Sequence, residues 1–480
     1  MDFRPVLYII GILLLVLSMS LILPMAADLY WGNEDWKVFF VCIIITAFFG
    51  GALMLSNSGH DFAISIQQAF MLTALSWLAL SFFGALPFHF STLNMSFADA
   101  FFEAMSGITT TGSTVIIGLD YAPPGILLWR AILQWLGGIG IILMAMSVMP
   151  FLKVGGMQIF RTELSENEKV LPRTAQLASS IGLIYVGLTI LCALTYMLCG
   201  MGTFDALAHS LTTISTGGFS TYDNSLAHFE NPYIDITATL FMLIGGMPFV
   251  LYLKAVHGDI RPLLRDGQVR WFLSIVCLSV AVTVAYLVMQ DHEPPFEAIR
   301  RAAFNIVSLI TGTGFVHGDY GQWGFFVVSL FFFLMVVGGC AGSTSCGIKI
   351  FRFQVLYAVV SVQIRKLIHP NGIFIPHYSG RPMPEDVPMS VMSFFFLYAL
   401  CFSALAAALA YVGLDFLTAM SGAATAISNV GPGLGDIIGP AGTFQPLPDS
   451  AKWILSAGML LGRLEIFTVL VLFHPHFWKH

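Results

Sequence analysis

The sequence predicts an all-α, polytopic membrane protein of ten spans with a fourfold internal repeat, and three observations lead to this fold class. First, 57% of the 480 residues are hydrophobic and only 10% are charged, whereas soluble domains carry about 25% charged residues. Second, the apolar residues form ten runs that are long enough to cross a bilayer as helices. Third, four loops between these runs share one pattern: an acidic residue, a short apolar segment and a stretch of Gly and hydroxyl residues.

The spans are selected by length, because a membrane-spanning helix needs about 20 mostly apolar residues. The ten predicted spans are residues 5–27, 36–56, 67–88, 126–150, 177–200, 234–254, 271–290, 323–350, 389–412 and 452–474. The first run is longer than the apolar part of a secretory signal peptide, which has about 7–15 residues. We therefore interpret it as a retained span.

Positive charge predicts the orientation of these spans. Connections 151–176, 251–270 and 349–381 hold thirteen of the 21 Lys and Arg residues. Lys and Arg are enriched in cytoplasmic loops, and with ten spans these three connections lie on one side together with both ends of the chain. Both termini are therefore predicted to be cytoplasmic. No basic cluster interleaved with aromatic residues suggests that the chain binds nucleic acid.

The long loops on the opposite side carry the internal repeat, and repeats are the first feature to seek in a sequence. They read "FADAFFEAMSGITTTGST", "TFDALAHSLTTISTGGFST", "PPFEAIRRAAFNIVSLITGTGF" and "GLDFLTAMSGAATAISNVGPGLG". Each short apolar segment of about ten to fifteen residues is too short to span the membrane and suits a re-entrant helix. The acidic residues at the helix starts favour the positive end of the helix dipole; they are Asp99, Asp205, Glu297 and Asp415.

The glycine-rich ends of these segments predict a cation pathway. Non-helical backbone at membrane depth persists only where protein buries it or where it lines a water-filled path, and rings of carbonyl oxygens can replace the hydration shell of a cation. Alignment of the four loops brings twelve residues into register as the predicted filter. They are Thr110, Thr111, Gly112, Thr216, Gly217, Gly218, Gly312, Thr313, Gly314, Asn429, Val430 and Gly431. The alternative is that these loops are ordinary extracellular turns, in which Gly and Thr are common.

Several motifs give the chain a resemblance to a known family. They are "FFEAMSGITTTGST" (101–114), "LQWLGGIGII" (133–142), "GGMQIFRTE" (155–163), "GGFST" (217–221), "GGCAGSTSCGIKIFR" (338–352), "NVGPGLG" (429–435) and "AKWILSAGMLLGRLEIFTVLVLF" (451–473). With these motifs the chain resembles the Trk/Ktr/HKT potassium-transporter superfamily, and within it the bacterial TrkH family. The resemblance covers nearly the whole chain.

The resemblance implies four membrane–pore–membrane repeats in a pseudo-fourfold arrangement behind two extra N-terminal helices. The corresponding segments are 1–62 for the extra helices and 63–176, 177–270, 271–385 and 386–480 for the four repeats. It implies a potassium uptake pore, because all four family positions for the filter glycine are glycine here. The implied ion ligands are Thr111, Gly112, Gly217, Gly218, Thr313, Gly314, Val430 and Gly431. A Na⁺ or mixed K⁺/Na⁺ transporter of the same fold is the alternative.

The eighth span contains a glycine cluster that predicts a break. Four glycines within ten residues disfavour a helix, since each costs about 1 kcal/mol in a helix interior. The resemblance implies that this stretch, residues 338–347, is an intramembrane gating loop. Its candidate gate residues are Gly338, Gly339, Gly342, Ser343, Thr344, Ser345 and Gly347. A glycine stripe for helix packing is the alternative, whereas a phosphate-binding P-loop fails because Ile348 separates Gly347 from Lys349.

Charged and polar residues inside the spans are the remaining candidates. Arg463 lies within the last span, where a charge is costly and usually functional, and we predict that it faces the gating loop and sets the closed-state barrier. The alternatives are snorkelling to the membrane surface or a pair with Glu465, although residues two apart on a helix do not face each other. Glu103, Arg130 and Gln134 are predicted to brace the filter. The seven cysteines, Cys340 and Cys346 among them, lack paired spacing and are interpreted as structural.

The partners follow from what the chain lacks and from the resemblance. No nucleotide-binding motif and no cofactor site is evident, so K⁺ is the only expected ion and a sensor must be another subunit. The resemblance implies a homodimer in the bacterial inner membrane and a cytosolic ring of nucleotide-binding RCK-type (TrkA) subunits on the three basic connections. An enzyme is not expected, although "GLGD" (433–436) and "YD" (222–223) match motifs of intramembrane aspartyl proteases. Such enzymes need two aspartates that share a proton.

Overall fold

A computed structural model of the chain describes residues 2–59, 65–147, 170–290 and 293–478. Most of the predicted basic connection 151–176, including the motif at 155–163, lies outside the described residues. Within the described part the chain is predominantly helical, and its one two-stranded hairpin pairs β1 (His377–Tyr378) with β2 (Arg381–Pro382). This composition agrees with the predicted all-α class.

Two N-terminal segments precede the repeats. They consist of α1 (Arg4–Ser20) and α2 (Ile22–Trp31), which together form one span, and α3 (Trp36–Ser56). Gly11 and Gly50 lie at the closest approach of α1 and α3, where a Cβ on Gly11 would fall 2.7 Å from the carbonyl oxygen of Gly50. Small residues permit such close helix packing in membranes. Asp28 attaches α2 to the rest of the molecule by accepting a hydrogen bond from the Gly125 backbone N–H at 2.7 Å.

One order of elements then recurs four times: a long helix, a short helix, an irregular loop and a further apolar helix. The first set is α4 (Ile66–Phe90), α5 (Phe97–Ile108) and α6 (Pro124–Ser147). The second is α7 (Val170–Leu198), α8 (Thr203–Ile214), α9 (Pro232–Gly245), α10 (Phe249–Val256) and α11 (Arg261–Arg265). The third is α12 (Gly267–Gln290), α13 (Pro295–Thr311), α14 (Phe325–Leu334) and α15 (Ile350–Ile368). The fourth is α16 (Asp386–Tyr411), α17 (Phe416–Ser428), α18 (Asp449–Arg463) and α19 (Ile466–Leu470).

Three predicted spans are not straight helices. Seven described helices are long and apolar enough to cross a membrane, or up to nine segments if each bent pair is one span. The predicted span at 234–254 is divided into two helices, because α9 and α10 meet at 97° beside Pro248, which cannot continue the helical hydrogen bonding. The span at 452–474 bends by 111° between α18 and α19. The span at 323–350 is helical only to Leu334 before the glycine cluster.

The short helices lie inside the molecule, whereas several of the long helices are largely exposed. Every residue of α5 from Ala100 to Ile108 is buried, whereas only 22% of the apolar window of α3, and likewise of α16, is buried. The third short helix, α13, has 17 residues and exceeds the predicted length. Acidic residues lie at all four starts, as predicted. The hydrogen bonds of Asp415 from the Thr418 side chain and backbone N–H lower the pKa of that carboxyl group.

Candidate functional site

Each short helix ends in the same backbone hydrogen bond, in which the chain folds back on its last turn. The residue before the aligned glycine donates its N–H to a carbonyl five residues earlier. The four bonds are Thr111 to Ser106 at 2.8 Å, Gly217 to Thr212 at 2.8 Å, Thr313 to Ser308 at 2.9 Å and Val430 to Thr425 at 3.1 Å. The register predicted from the sequence therefore has a geometric counterpart in all four loops.

The four loops also share an unusual backbone. Two positions in each loop have positive φ: Thr110 (53°), Thr216 (51°), Gly312 (69°) and Asn429 (53°) at the first, and Gly112 (87°), Gly218 (79°), Gly314 (81°) and Gly431 (111°) at the second. Left-handed backbone costs an L-residue roughly 1–2 kcal/mol, and sparsely populated conformations cluster at functional sites. The same two left-handed positions recur in all four loops, so the four loops share one backbone conformation.

The loops meet one another in a closed cyclic order. A Cβ on each aligned glycine would fall under 3.0 Å from a carbonyl oxygen of the next loop. The pairs are Gly112 with Gly217, Gly218 with Thr313, Gly314 with Val430 and Gly431 with Thr111. The four carbonyls at positions 111, 217, 313 and 430, named the carbonyl ring below, therefore lie beside four positions that only glycine fits. The structure brings the twelve predicted filter residues together in these adjoining loops, and it buries all of them except Gly112 and Gly218, which are partly exposed.

Hydrogen bonds join the first loop to the last. The Ser113 hydroxyl donates to the Gly431 carbonyl oxygen at 2.7 Å. The Asn429 amide donates to the Thr111 hydroxyl at 2.9 Å, and also to the Met459 carbonyl oxygen at 2.9 Å. These contacts join residues that are 318 positions apart in the chain and complete the cycle.

A polar side chain inside three of the short helices supports the chain that leaves each loop. Glu103 accepts hydrogen bonds from the Thr114 hydroxyl and the Val115 N–H, both at 2.9 Å. His209 contacts the Ser220 hydroxyl at 3.0 Å. Asn305 forms hydrogen bonds with the backbone of His317 in the third loop. Each of the three polar residues lies nine residues before the aligned glycine of its loop.

Arg130 connects the first of these supports to the second repeat. Its Nε donates to Glu103 at 2.8 Å, and its Nη1 donates to the Ser220 carbonyl oxygen at 2.6 Å. The guanidinium also lies over the Phe219 ring at 4.0 Å. The buried contacts predicted for Glu103, Arg130 and Gln134 are present, and they reach the second loop as well as the first.

We expect Glu103→Gln to lower the thermal stability of the protein strongly. Arg130 and Glu103 are 1% and 0% exposed, and removal of one partner of a buried ion pair costs about 3–5 kcal/mol. The measurement is the unfolding midpoint in detergent and in lipid nanodiscs. The matched control is Glu34→Gln, which breaks an exposed pair with Lys37 that solvent screens and that should leave the midpoint nearly unchanged. Equal midpoints for the two variants would contradict the expectation.

The glycine cluster of the third repeat forms a loop that is closed at its base. The Gly338 N–H donates to the Ile348 carbonyl and the Ile348 N–H donates to the Val336 carbonyl, both at 3.0 Å. Between them lie all the predicted gate residues of the 338–347 loop: Gly338, Gly339, Gly342, Ser343, Thr344, Ser345 and Gly347. The chain therefore leaves and re-enters the helical structure at nearly the same point.

The 338–347 loop fills the break in the second repeat. The last carbonyls of α9 have no partner within that helix. The Gly246 carbonyl accepts a hydrogen bond from the Cys340 N–H at 2.9 Å, and the Gly245 carbonyl accepts one from the Thr344 hydroxyl at 3.0 Å. The same hydroxyl lies 3.1 Å from the Ile214 carbonyl and 3.2 Å from the Thr216 hydroxyl. The loop thus contacts the end of α8 and the second filter loop.

Arg463 joins the 338–347 loop to the first repeat. It is 2% exposed, and its guanidinium donates to the Gly137 carbonyl at 2.7 Å, the Thr344 carbonyl at 3.2 Å and the Cys346 sulfur at 2.7 Å. The predicted proximity to the gating loop is present, and burial excludes the snorkelling alternative. The contact with Cys346 was not foreseen, since that cysteine was interpreted only as a small core residue.

A second buried arginine was missed from the sequence. Arg352 at the start of α15 forms an ion pair with Glu465 at 2.6 Å and lies 3.6 Å from the centre of the Phe394 ring. Glu465 has a φ of 60° at the bend between α18 and α19. The signal in the sequence was Glu465 itself, a carboxylate inside the last apolar run. Interpretation of that run as one straight helix left this carboxylate without a partner.

The two aspartates of the protease alternative have separate surroundings. Asp223 accepts hydrogen bonds from the backbone N–H groups of Gly118 and Leu119 at 3.1 and 3.0 Å. Asp436 is exposed in the loop that follows α17. Neither lies on a spanning helix, so the arrangement lacks the facing carboxylates that such a protease requires.

Comparison with known proteins gives consistent results. Residues 36–480 match the TrkH family, described as cation transport protein. The chain is 44% identical to the Trk system potassium uptake protein TrkI of Halomonas elongata over 99% of this chain and 97% of that protein. It is 36% identical to the Trk system potassium uptake protein TrkH of Escherichia coli over the full length of both. The crystal structure of the potassium transporter TrkH from Vibrio parahaemolyticus superposes with a TM-score of 0.93 at 36% identity and covers 100% of both chains.

Proposed function

The chain belongs to the TrkH family of cation transport proteins, and from this premise we propose that it is the pore subunit of a bacterial potassium uptake system. It is a multi-pass membrane transport protein rather than an enzyme. The substrate is proposed from relatives that are named potassium uptake proteins and are 34–44% identical over nearly the whole chain. A Na⁺ or mixed K⁺/Na⁺ transporter of the same fold is the second candidate.

The observation that carries the proposal is the fourfold recurrence of left-handed backbone beside the carbonyl ring. Carbonyl oxygens in such a ring replace the hydration shell of a monovalent cation. The negative ends of the four short helices lie at the loops and favour a cation there. The proposed K⁺ ligands are contributed by Thr111, Gly112, Gly217, Gly218, Thr313, Gly314, Val430 and Gly431.

The proposed architecture is ten spans in which four repeats surround one pore in pseudo-fourfold symmetry. The repeats are 63–176, 177–270, 271–385 and 386–480, and residues 1–62 form the two extra helices. The recurring order of elements and the cyclic contacts between the loops support this arrangement. The protein is proposed to lie in the inner membrane with both termini cytoplasmic, in accordance with the distribution of Lys and Arg.

The gate is proposed to be the 338–347 loop held by Arg463. The loop contacts the second filter loop, and the guanidinium adds a positive charge that repels cations in a low-dielectric environment. A cytosolic ring of nucleotide-binding RCK-type (TrkA) subunits is proposed to move the loop through the basic connections 151–176, 251–270 and 349–381. Two such pores are proposed to form a homodimer.

A flux assay tests the function. The purified chain is reconstituted in liposomes loaded with K⁺, and uptake of labelled Rb⁺ is measured with K⁺, Na⁺ or Li⁺ outside as competitor. We expect K⁺ to compete and Na⁺ and Li⁺ to have little effect, because a rigid carbonyl ring suits the larger ion. Equal competition by Na⁺ would favour the second candidate. Absence of uptake even when the Arg463→Ala variant is used would contradict the pore.

A further inference from the structure

Gln134 interrupts a pattern that the other three repeats share. The helix that follows each filter loop contains a short motif: "LQWLGG" (133–138), "FMLIGG" (241–246), "LMVVGG" (334–339) and "GMLLGR" (458–463). The second position is methionine in three repeats, at Met242, Met335 and Met459, and glutamine in the first. All four side chains are 0% exposed. An amide therefore occupies a buried site where the internal symmetry of the chain specifies an apolar side chain.

The nitrogen and the oxygen of the Gln134 amide each form a hydrogen bond, and both bonds are to the second filter loop. Its Nε2 donates to the Gly217 carbonyl oxygen at 2.5 Å, and its Oε1 accepts from the Phe219 N–H at 3.0 Å. The two contacts lie on either side of Gly218, the aligned glycine of that loop. The side chain thus binds one carbonyl and one N–H group of the second filter loop, as the backbone of a neighbouring β-strand would.

The contact makes the carbonyl ring unequal. In the part of the chain that the structure describes, Gly217 is the one member of the ring whose oxygen accepts a side-chain hydrogen bond; those of Thr111, Thr313 and Val430 do not. A carbonyl oxygen that accepts a hydrogen bond has less electron density available to an ion. The bond also restricts the movement of the oxygen towards or away from the centre of the ring. The Gly217 oxygen therefore shares its electron density with a protein donor.

We propose that Gln134 is a specificity-determining residue of the cation filter and acts by holding the Gly217 carbonyl at the wider spacing that fits K⁺. The inference rests on the proposed pore function and deepens it. Selectivity between K⁺ and Na⁺ depends on the size of the ring or on the number and field strength of its carbonyls. Without the amide, the Gly217 oxygen relaxes inward with an unshared lone pair, and both changes favour the smaller ion.

Gln134→Met tests the proposal, because it gives the first repeat the residue that the other three already carry. The measurements are the K⁺-to-Na⁺ permeability ratio of reconstituted protein, its absolute Rb⁺ flux and its unfolding midpoint. We expect the permeability ratio to fall about tenfold, the scale of one hydrogen bond to an ion ligand, with flux retained. Met242→Leu, at the equivalent position of the second repeat, is the matched control for packing and should keep the wild-type ratio.

The possible outcomes separate a specificity role from a structural one. A fall in the ratio for Gln134→Met but not for Met242→Leu supports the proposal. An unchanged ratio, whether or not flux and stability fall, overturns it and leaves Gln134 as a packing residue. Gln134→Leu is measured in parallel. If Gln134→Met does not fold, the permeability ratio of the leucine variant takes its place in the comparison. A wild-type protein that fails to prefer K⁺ would instead contradict the proposed function.

Discussion

Gly112→Ser is expected to abolish most of the preference for K⁺ over Na⁺ and to lower the permeability ratio by at least about tenfold. The residue has a φ of 87°, a conformation that costs a serine roughly 1–2 kcal/mol. Its new Cβ would also fall under 3.0 Å from the Gly217 carbonyl oxygen. One member of the carbonyl ring must then move, and a ring that is displaced at one ligand loses the spacing on which ion selection depends.

Gly118→Ser is the control for this variant. Gly118 has a φ of 75°, similar to that of Gly112, but no atom lies within 4 Å of its added Cβ. The backbone strain is therefore comparable while the steric conflict is absent. We expect Gly118→Ser to retain wild-type selectivity in the competition assay with labelled Rb⁺. If Gly112→Ser also retained it, the ring would not be the selective element.

Arg463→Ala is expected to raise the basal flux of the isolated chain on the order of tenfold or more. The guanidinium bonds the Thr344 carbonyl and the Cys346 sulfur of the gating loop and the Gly137 carbonyl of the first repeat. A hydrogen bond to a charged group contributes about 1.5–3 kcal/mol, so its loss shifts the loop towards an open arrangement. Loss of the positive charge also lowers the electrostatic barrier to a cation. The measurement is single-channel or liposome flux without any partner subunit.

Arg463→Lys separates the two contributions. Lysine keeps the charge but has no planar fork that reaches two repeats at once. Flux close to wild type in the lysine variant would indicate that the charge dominates, whereas flux close to that of Arg463→Ala would indicate that the bonds to the loop dominate. Flux in Arg463→Ala indistinguishable from wild type would remove Arg463 from the gate.

The shared register of the four irregular loops could be predicted because its signal occurs four times. A single Gly–Thr loop is ambiguous, but four loops behind acidic helix starts share one register, and the structure reproduces it in the bonds of Thr111, Gly217, Thr313 and Val430. The repeat also indicated that the short helices are re-entrant. Physical constraints on backbone in a bilayer leave few alternatives for such a pattern.

The angles of the bends could not be predicted, because hydropathy reports apolar length and not direction; Pro248 and Glu465 mark where the two runs break, but not how far the chain turns there. The bend of 97° between α9 and α10 lies in a run that stays apolar on both sides, and so does the bend of 111° after Arg463. The carbonyls freed at the first bend receive the gating loop, which comes from another repeat. Contacts of this kind, like that of Arg352 with Glu465, depend on tertiary structure that no local pattern encodes.

The closed cycle of the four loops has a consequence for biosynthesis. The first loop takes part of its support from Gly431 and Asn429, which are 318 residues later in the chain. Proteins are made from the N-terminus and their parts fold in that order, so the first three repeats enter the membrane while one side of the ring is still open. The cycle of contacts between the four loops can therefore close only after the last loop has been made. A chain that ends before residue 386 would contain three of the four loops and would lack the partners that close the cycle.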